Sequence, residues 1–537
     1  MNTYDLPAAL DAWRETLGVD HVHVAHDFLR EYAKNAGGLA RTVCAVLRPA
    51  STDEVRQIIH VANQFSVPVH PISCGKNWGM GSRLPVRSDT VVLDLGRMNR
   101  IRKVDVEQQY ALIEPGVTQA QLCTYLREKN IPLRLNVTGS AADTSIVGNA
   151  LERGVGYLAS RVDEVSGFEV VLGNGALLHT GFGHYPGAHM THAYRHGIGP
   201  ELDGLFFQSN FGVITALGTA LLPIPVAQMV MVARIDNAAK LGTFMTALAA
   251  LRQRKILPTV VHVGNRARAE IAMAPLVYQE IKKWMRGNDL YLRRRAEQML
   301  IDEGFGPWSA VGAIMGTPAQ LRVVKKEIRR ALRGTAKVVF LNDSLLDAAK
   351  WLLRHFRSIP WMRRKEAVLL AAEPLYRVAG GEPTSEPMKS VYWPMGFWPH
   401  TPEEDPDQSD CGMLFTLPIL PTSPKELQAA VSHIELVFDR HGFIPYITLN
   451  LINGHALETV VNMAFDRRQP ERVAAAHACT EELTADLISM GYVSYRVGVQ
   501  SMARIINPDD TFWQTVKAIK SVLDPNNIIS PGRYSLI

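Results

Sequence analysis

The segment 71–82, PISCGKNWGMGS, constrains the fold of this chain more than any other. A strand-like run, VPVH at 67–70, leads into it, and a second, VVLDL at 91–95, follows soon after. Gly75, Gly79 and Gly81 lack Cβ atoms, so the backbone can turn tightly and successive amides can converge on an anion such as a pyrophosphate. The spacing does not match GxxxxGK[ST], and no helix follows at once, as a dinucleotide-binding GxGxxG requires. The glycines alone fit a plain turn as well as a phosphate-binding loop.

Composition excludes several classes of protein. The net charge of +5 is small for 537 residues and does not indicate nucleic-acid binding. No uninterrupted apolar run of about 18 residues is present, and the N-terminus lacks a basic segment followed by an apolar one, so we expect neither a membrane span nor a secretory signal. The five cysteines form no CxxC pair, which predicts reduced thiols in a cytoplasmic protein without a metal site: Cys44, Cys74, Cys123, Cys411 and Cys479.

Local patterns predict a mixture of helices and strands in the first 225 residues. Ser51 to Glu54 has the S-x-x-E form of a capping box before a helix. Residues 110–114 indicate a strand, and Thr118 is expected to cap a helix that runs to about Lys129. Gly173-Asn174-Gly175 between two apolar runs indicates a hairpin. Because strands and helices do not alternate strictly, we predict an α+β fold.

The pattern changes after Pro223-Ile224-Pro225. A long middle region follows with helical periodicity and three basic runs, at 293–295, 325–326 and 363–365. These runs are typical of solvated helix faces; the alternatives are a surface for an acidic partner and an entrance for an anionic substrate. The segment 380–410 is rich in proline and acids and indicates a long surface loop.

Eight segments along the chain are informative when they are read in order: PISCGKNWGMGS (71–82), VVLDLGRMNRI (91–101), ALIEPGVT (111–118), VGNALERGVGY (147–157), FEVVLGNG (168–175), DGLFFQSNFGVITALG (203–218), GYVSYRV (491–497) and LDPNNIISPGR (523–533). Taken together, they resemble the flavoprotein family of vanillyl-alcohol oxidase and p-cresol methylhydroxylase. The resemblance covers nearly the whole chain in the family's order.

The resemblance implies a two-domain flavoprotein. An FAD-binding domain would comprise residues 1–225 and a C-terminal segment, 495–537, and a cap domain built on an antiparallel sheet flanked by helices would occupy 226–494. The glycine-rich loop would bind the FAD pyrophosphate, and small residues elsewhere would let main-chain donors reach the cofactor. The FAD-binding residues it implies are Pro71, Ile72, Ser73, Cys74, Gly75, Lys76, Asn77, Gly79, Met80, Ser82, Ser140, Ser145, Gly148, Asn149, Arg153, Gly154, Gly156, Tyr157, Gly212, Val213, Ile214 and Arg533.

The same resemblance implies oxidation of para-substituted phenols at the benzylic carbon, with the phenol bound as phenolate. Tyr495 and Arg496 match two of the family's three phenolate-binding positions, and arginine suits the role because it stays charged. At the third position, where the family has a tyrosine, this chain has Met80, which removes one donor and makes the pocket more apolar. Tyr157 matches a family tyrosine that lines the active site; a core tyrosine is the alternative.

Three further departures from the family affect the predicted chemistry. At the position of the family's flavin-tethering histidine or tyrosine this chain has Met413, so we predict noncovalent FAD unless Cys411 or another residue substitutes. Ser140 replaces the aspartate that oxidase-type members carry near the flavin. A paired His-His becomes Glu458-Thr459, and Glu458 is either a new base or partner for a substrate amine, or a surface acid.

The sequence therefore predicts an FAD-dependent oxidase or dehydrogenase that acts on a 4-alkylphenol or a 4-hydroxybenzylic alcohol through a quinone methide. One alternative keeps the flavin but gives the altered pocket a bulky aromatic, lignin-derived or natural-product alcohol or amine without phenolate chemistry. A flavin-binding protein without activity is another. Electrons would pass to O2 or to an electron-transfer protein, and by the family pattern we expect a homodimer.

Overall fold

The computed structural model describes residues 5–396 and 405–536. Its first layer is a four-stranded sheet in the order β1-β2-β4-β3, in which β2, β4 and β3 run parallel. The helices pack on this sheet through a core that includes Trp13, Ile58 and Leu93. The bounds are β1 (Val22–His23), β2 (Val43–Leu47), β3 (Val69–Ile72), β4 (Thr90–Asp94), α1 (Leu6–Leu17), α2 (His26–Tyr32) and α3 (Thr52–Gln64).

A second sheet of five antiparallel strands has the order β5-β6-β10-β8-β9. A short pair, β7 with β11, lies outside it. Two helices cover the five-stranded sheet around Phe168 and Leu217. The bounds are β5 (Ile101–Asp105), β6 (Tyr110–Ile113), β7 (Leu133–Arg134), β8 (Val165–Leu172), β9 (Leu177–His179), β10 (Gly212–Ala220), β11 (Leu222–Pro223), α4 (Gln119–Glu128) and α5 (Ile146–Leu151).

The largest sheet is antiparallel and has the order β15-β12-β14-β13-β18-β19-β16, with β17 also paired to β19. The alternation of side chains along a strand gives it two different faces. On β19 the residues are alternately buried and partly exposed over the full strand. The bounds are β12 (Ala227–Ile235), β13 (Val261–Asn265), β14 (Trp308–Gly316), β15 (Lys337–Leu341), β16 (Cys411–Thr416), β17 (Ile419–Pro421), β18 (Tyr446–Leu451) and β19 (Ala456–Asp466).

Helices cover one face of this sheet and part of the other, which is called the open face here because its uncovered part lines a cavity. One face packs against four helices in an apolar core around Phe244, Ile434 and Leu483: α6 (Leu241–Gln253), α9 (Pro318–Ala331), α13 (Pro424–Arg440) and α14 (Pro470–Ser489). A second core, around Val277, lies on the other side and includes Tyr446 of β18. The helices on that side are α7 (Arg266–Lys282), α8 (Asp289–Asp302), α10 (Asp343–His355), α11 (Pro360–Ala379) and α12 (Lys389–Tyr392).

After α14 the chain returns to the first two layers through α15 (Met502–Ile505) and α16 (Thr511–Leu523). Ile529 forms a parallel bridge with Val69, beside the start of the glycine-rich loop. Because β12 begins at Ala227 and α14 ends at Ser489, we propose the limits 1–225, 226–494 and 495–537 as the domain limits.

Most local predictions agree with the structure. The side chain of Ser51 caps α3 by accepting from the amide of Glu54, but the Glu54 carboxylate accepts from Ala50, so the capping box is only half formed. Thr118 caps α4.

The prediction of a surface loop over 380–410 was wrong for its described part. This part contains α12, and Lys389, Val391 and Tyr392 are buried. The Lys389 ammonium can be buried because it donates to Gln279 and Glu386. Residues 397–404 of the predicted loop lie outside the described residues.

The described helices include none with the length and hydropathy of a membrane span.

Candidate active site

A cavity of about 700 Å³ lies where the three sheets meet. Its first wall is the glycine-rich loop at the end of β3. The second wall comes from residues around α5, the start of β10 and the C-terminal segment. The third wall is the open face of the large sheet with α7, α11 and the segment before α12. The cavity is therefore enclosed between a wall of loops and main-chain atoms and a wall of side chains.

The glycine-rich loop has the geometry of an anion-binding turn. Gly75 and Gly79 have φ of 67° and 71°, a conformation that favours glycine. The backbone amides of Cys74, Gly75 and Lys76 have no acceptor among the described residues, although these residues line the cavity. Consecutive amides without an acceptor form a concave site for a phosphate. This loop therefore fits the pyrophosphate of FAD.

The main chain at α5 packs closely against the glycine-rich loop. A Cβ atom at Gly148 would collide with the Ser73 hydroxyl, so only glycine lets the two segments approach in this way. Ser145 caps α5 by accepting from the amide of Gly148, and its own hydroxyl donates to Pro115 O at 2.6 Å. The start of α5, which was predicted to bind FAD, is thus held by two hydrogen bonds of the Ser145 hydroxyl.

Arg496 and Arg533 share one carboxylate in the cavity wall. Glu152 Oε2 lies 3.4 Å from Arg496 Nε, and Glu152 Oε1 accepts from Arg533. Arg496 also donates to the Asn77 side chain in the glycine-rich loop. The guanidinium of Arg496 therefore lines the cavity beside the loop and does not point into bulk solvent.

Tyr495 lines the cavity next to Arg496. Its backbone is fixed from two sides: its amide donates to Leu417 O at 3.0 Å, and its carbonyl accepts from Gln208 at 2.8 Å. Burial, followed by the charge of Glu458, raises the pKa of Tyr495, so its hydroxyl is a proton donor at neutral pH. Met80 also lines the cavity and is 3% exposed, so the wall is apolar at the position where the resemblance led us to look for a third donor.

Ser140 lies in a chain of hydroxyl groups at the cavity wall. Its Oγ is 2.6 Å from Thr138 Oγ1 and 2.9 Å from Thr144 Oγ1. The nearby carboxylate of Asp143 does not line the cavity and pairs with Lys76 instead. This wall is therefore polar but uncharged where oxidase-type relatives are expected to carry an aspartate.

The predicted tether position, Met413, faces the cavity on β16. Cys411, two residues earlier, does not line it and is fully buried, with its thiol donating to Val391 O at 2.8 Å. Burial raises the pKa of Cys411 to about 12, so it is not a thiolate at neutral pH. Neither side chain offers a nucleophile for a covalent bond to FAD, in agreement with noncovalent binding.

A polar row crosses the open face of the large sheet. The strand register aligns His262 with Asn450 and Asn450 with Glu458. His262 Nδ1 is 2.7 Å from Asn450 Oδ1, and burial lowers the pKa of His262 to about 4, so this imidazole is neutral and donates to the amide oxygen. Both residues line the cavity.

Glu458 ends this row without lining the cavity. Its Oε2 is buried and has no partner among the described residues. Burial, followed by the charge of Asp163, raises the pKa of Glu458 to about 7. Glu458 is therefore not a surface acid; its action as a base stays a prediction, because it would have to act through the adjacent Tyr495.

Tyr157, predicted as a catalytic residue, packs on the other end of the row. Its ring centroid is 4.6 Å from that of His262. Burial raises the pKa of Tyr157, and the neighbouring guanidinium of Arg268 opposes that shift. Tyr157, His262 and Arg268 thus form a second polar cluster in the cavity, away from Tyr495.

Most predicted FAD-binding residues line this cavity. Four do not, and their contact with the cofactor stays a prediction. Val213 packs into the core of the first layer, a Cβ on Gly79 would collide with the Phe415 ring, and Arg153 and Gly156 follow α5 in the chain without lining the cavity. The predicted residues that do line it are Pro71, Ile72, Ser73, Cys74, Gly75, Lys76, Asn77, Met80, Ser82, Ser140, Ser145, Gly148, Asn149, Gly154, Tyr157, Gly212, Ile214, Met413, Tyr495, Arg496 and Arg533.

Sequence reasoning missed most cavity-lining residues of the cap, and three of these bear on the chemistry: His262, Asn450 and Arg268. His262 and Asn450 each lie between two apolar residues in a largely apolar strand. Because side chains alternate along a strand, this pattern could have placed each of them on the face opposite its apolar neighbours. Arg268 belongs to RARAE, a pattern typical of a solvated helix, so nothing in the sequence marks it as a cavity residue.

Comparisons with known proteins agree with this geometry. The family described as FAD binding domain matches residues 43–181, and the C-terminal domain of FAD linked oxidases matches residues 420–534. A 1'-carboxy-chondrochloren decarboxylase from Chondromyces crocatus is 33% identical over 99% of this chain and 98% of its own length. The flavoprotein subunit of hydroxylating 4-cresol dehydrogenase from Pseudomonas putida is 28% identical over 98% of this chain and 95% of its own length.

Two solved structures are similar over nearly the whole chain. A p-cresol methylhydroxylase with substrate bound superposes with a TM-score of 0.83 at 27% identity, covering 99% of this chain and 96% of the other. The 4-ethylphenol oxidase from Gulosibacter chungangensis, in an isoeugenol complex, has a TM-score of 0.84 at 25% identity, covering 99% and 98%.

The fold and the site therefore define an FAD-linked oxidoreductase, and FAD is its cofactor. The chain belongs to the vanillyl-alcohol oxidase and p-cresol methylhydroxylase family, as its sequence pattern predicted, and the two-domain α+β fold is confirmed with it.

Proposed function

We propose that this enzyme removes a hydride from the benzylic carbon of a para-substituted phenol or a 4-hydroxybenzylic alcohol. The observation that carries the proposal is the placement of Tyr495 and Arg496 side by side in the cavity wall, beside the FAD-binding loop. The names of two similar proteins, which refer to 4-cresol and 4-ethylphenol, support it.

The chemistry makes a specific demand on this wall. A free phenol has a pKa near 10, so its ionisation at pH 7 costs about 4 kcal/mol. The proton-donating hydroxyl of Tyr495 and the positive charge of Arg496 offset that cost by stabilising a phenolate oxygen. FAD, when bound, supplies the hydride acceptor. The substrate is then left as a quinone methide.

Anaerobic reduction of the FAD-loaded protein tests the proposal. We expect 4-ethylphenol to bleach the flavin absorbance, and its O-methyl ether to fail, because the ether cannot form a phenolate. Tyr495→Phe should slow the reaction at least tenfold, the effect of one hydrogen bond to a charged group. Tyr376→Phe is the matched control. Tyr376 also lines the cavity, but its hydroxyl already donates to Asp343 at 2.8 Å, so it is not expected to bind the substrate.

Equal rates for the phenol and the ether would remove the need for a phenolate and refute this part of the proposal. They would favour the altered-pocket alternative, for which Met80 and Met413 supply flexible apolar walls.

The electron acceptor is a separate question. We propose O2, and a stoichiometric yield of hydrogen peroxide in air would distinguish it from an electron-transfer protein.

A second candidate function is oxidation coupled to loss of a carboxyl group, because one relative is named a decarboxylase and Arg268 places a cation in the cavity. Once hydride has left the benzylic carbon, a carboxylate on the next carbon can leave as CO2. The electron pair of the broken bond forms a carbon–carbon double bond, and the ring returns to a phenolate. Release of CO2 and 4-vinylphenol from 3-(4-hydroxyphenyl)propanoate would identify this reaction, and recovery of a product with the carboxyl group retained would exclude it.

A further inference from the structure

Five cationic side chains line the cavity, and four of them have partners among the described residues. Lys76 pairs with Asp143, and Arg496 and Arg533 share Glu152. Arg234 donates to Glu303 O at 2.8 Å and lies 4.5 Å from the ring centroid of Phe305. Among the cationic side chains that line the cavity, these contacts give a partner to each one except Arg268.

The guanidinium of Arg268 has no hydrogen-bond or ion-pair partner among the described residues. Its Nη1 atom is buried and unsatisfied, and burial lowers the pKa of Arg268. A buried charge without a partner is costly, and proteins rarely retain one without a ligand or a counter-ion. The arrangement points to an anion that binds there.

Local structure fixes where this guanidinium lies. The backbone amide of Arg268 donates to the capping side chain of Asn265 at 2.9 Å, so the residue sits in the first turn of α7. A Cβ at Gly264 would lie 3.5 Å from Arg268 Cγ, which shows how closely the side chain crosses the open face of the sheet. Ala269 and Ala272, on the same helix, form an apolar wall beside it.

The groups around Arg268 are neutral. His262 is uncharged and already bonded to Asn450, and burial keeps the Tyr157 hydroxyl protonated. Among the described lining residues the only carboxylate is Glu152, which is engaged by two other arginines. The protein therefore supplies no anion for Arg268 inside this cavity.

We propose that Arg268 binds a carboxylate group of the substrate, so that the enzyme acts on a phenolic acid; this inference rests on the function proposed above. A planar guanidinium matches a carboxylate with two parallel hydrogen bonds, and one monovalent cation suits one monovalent anion. The two polar ends of the cavity are far enough apart for such a molecule. His262, beside Arg268, and Glu458, beside Tyr495, are separated by two strand spacings, about 10 Å.

The test uses a pair of ligands that cannot be oxidised as phenols. Calorimetric titration of the FAD-loaded protein with 3-phenylpropanoate and with its neutral amide compares the charged and uncharged forms of one shape. We expect the acid to bind at least tenfold more tightly than the amide. Arg268→Met should abolish this preference without weakening the amide, and Arg268→Lys should restore part of it.

Arg266→Met is the matched control, because it removes the same charge from an exposed position in the same turn of α7. It should leave the preference for the acid intact. Equal affinities of wild-type protein for acid and amide would overturn the inference, as would an Arg268→Met variant that keeps the preference or that loses FAD instead.

Flavin bleaching with 3-(4-hydroxyphenyl)propanoate separates the inference from the proposed function. If neither this acid nor 4-ethylphenol reduces the flavin while the binding preference persists, phenol oxidation is refuted and the carboxylate site stands. If both reduce the flavin and the wild-type protein shows no preference for the acid in binding, the function stands and the site is refuted.

Discussion

Replacing Lys520 by methionine should destabilise the junction between the C-terminal segment and the FAD-binding layers. Lys520 is 3% exposed and Asp524 is 1% exposed. The ammonium donates to Asp524 Oδ2 at 2.5 Å, to Asn210 O at 2.5 Å and to Ile529 O at 2.8 Å. All three of its protons are therefore used inside the protein.

The expected cost is large because methionine leaves a buried carboxylate without its counter-ion. Asp524 keeps two acceptor bonds, from the amides of Ile528 at 3.0 Å and Ile529 at 2.8 Å, but these do not neutralise its charge. Removal of one partner from a buried ion pair typically costs about 3–5 kcal/mol. Because whole domains are stable by only about 5–15 kcal/mol, this loss should be easy to measure.

Urea unfolding of the FAD-loaded protein, followed by tryptophan and flavin fluorescence, measures the effect. Flavin release should begin at lower urea than in wild type, because Ser530, beside this pair, bonds to His70 in the cavity wall. Lys517→Met, an exposed lysine on the same helix, is the control and should change stability by less than about 0.5 kcal/mol. A Lys520→Met protein as stable as this control would refute the reasoning.

Three other predictions concern the cavity and its surroundings. Burial raises the pKa of Glu458 from 4.5 to about 7, so between these pH values the folded protein retains a proton that the unfolded chain releases. The stability of the folded protein therefore falls as pH rises through this window. Glu458→Gln should accordingly raise the melting temperature relative to wild type at pH 8 but not at pH 4. Gly79→Ala would place a Cβ 2.8 Å from the Phe415 ring and should lower the FAD content, whereas Gly187→Ala, with a similar φ and open space around it, should not. Cys411→Ser should leave the flavin in the supernatant after acid precipitation, as in wild type, and flavin retained in the wild-type pellet alone would show that the thiol is a tether.

The parts of the fold that depend on neighbouring residues could be predicted from sequence. Gly173-Asn174-Gly175 does form the turn between β8 and β9, where the amide of Gly175 donates to Leu172 O at 2.9 Å. Such a turn is determined by three residues and the strands beside them. The same holds for α3 and α4, whose capping side chains bond within their own first turn.

The parts that depend on distant residues could not. The burial of Lys389 requires Gln279, which lies more than a hundred positions away, so proline and acidic composition alone indicated a solvated loop. Arg268 is a similar case. Its sequence neighbourhood is that of an exposed helix, and only the placement of α7 on the open face of the sheet brings the guanidinium into the cavity.

The two ends of the cavity differ in the groups that they offer to a substrate, and this difference connects Met80 with Arg268. At the Tyr495 end, if the proposed function holds, Met80 offers a phenolate no hydrogen bond, and Arg496 is partly neutralised by Glu152. A substrate anchored only there would be bound less firmly than one that a third donor also holds. At the other end, His262 and Asn450 satisfy each other, so they do not compete for Arg268. The proposed anchor for a carboxylate at Arg268 would then supply the binding and orientation that the Tyr495 end lacks, which is the physical reason to expect a substrate with anionic groups at both ends.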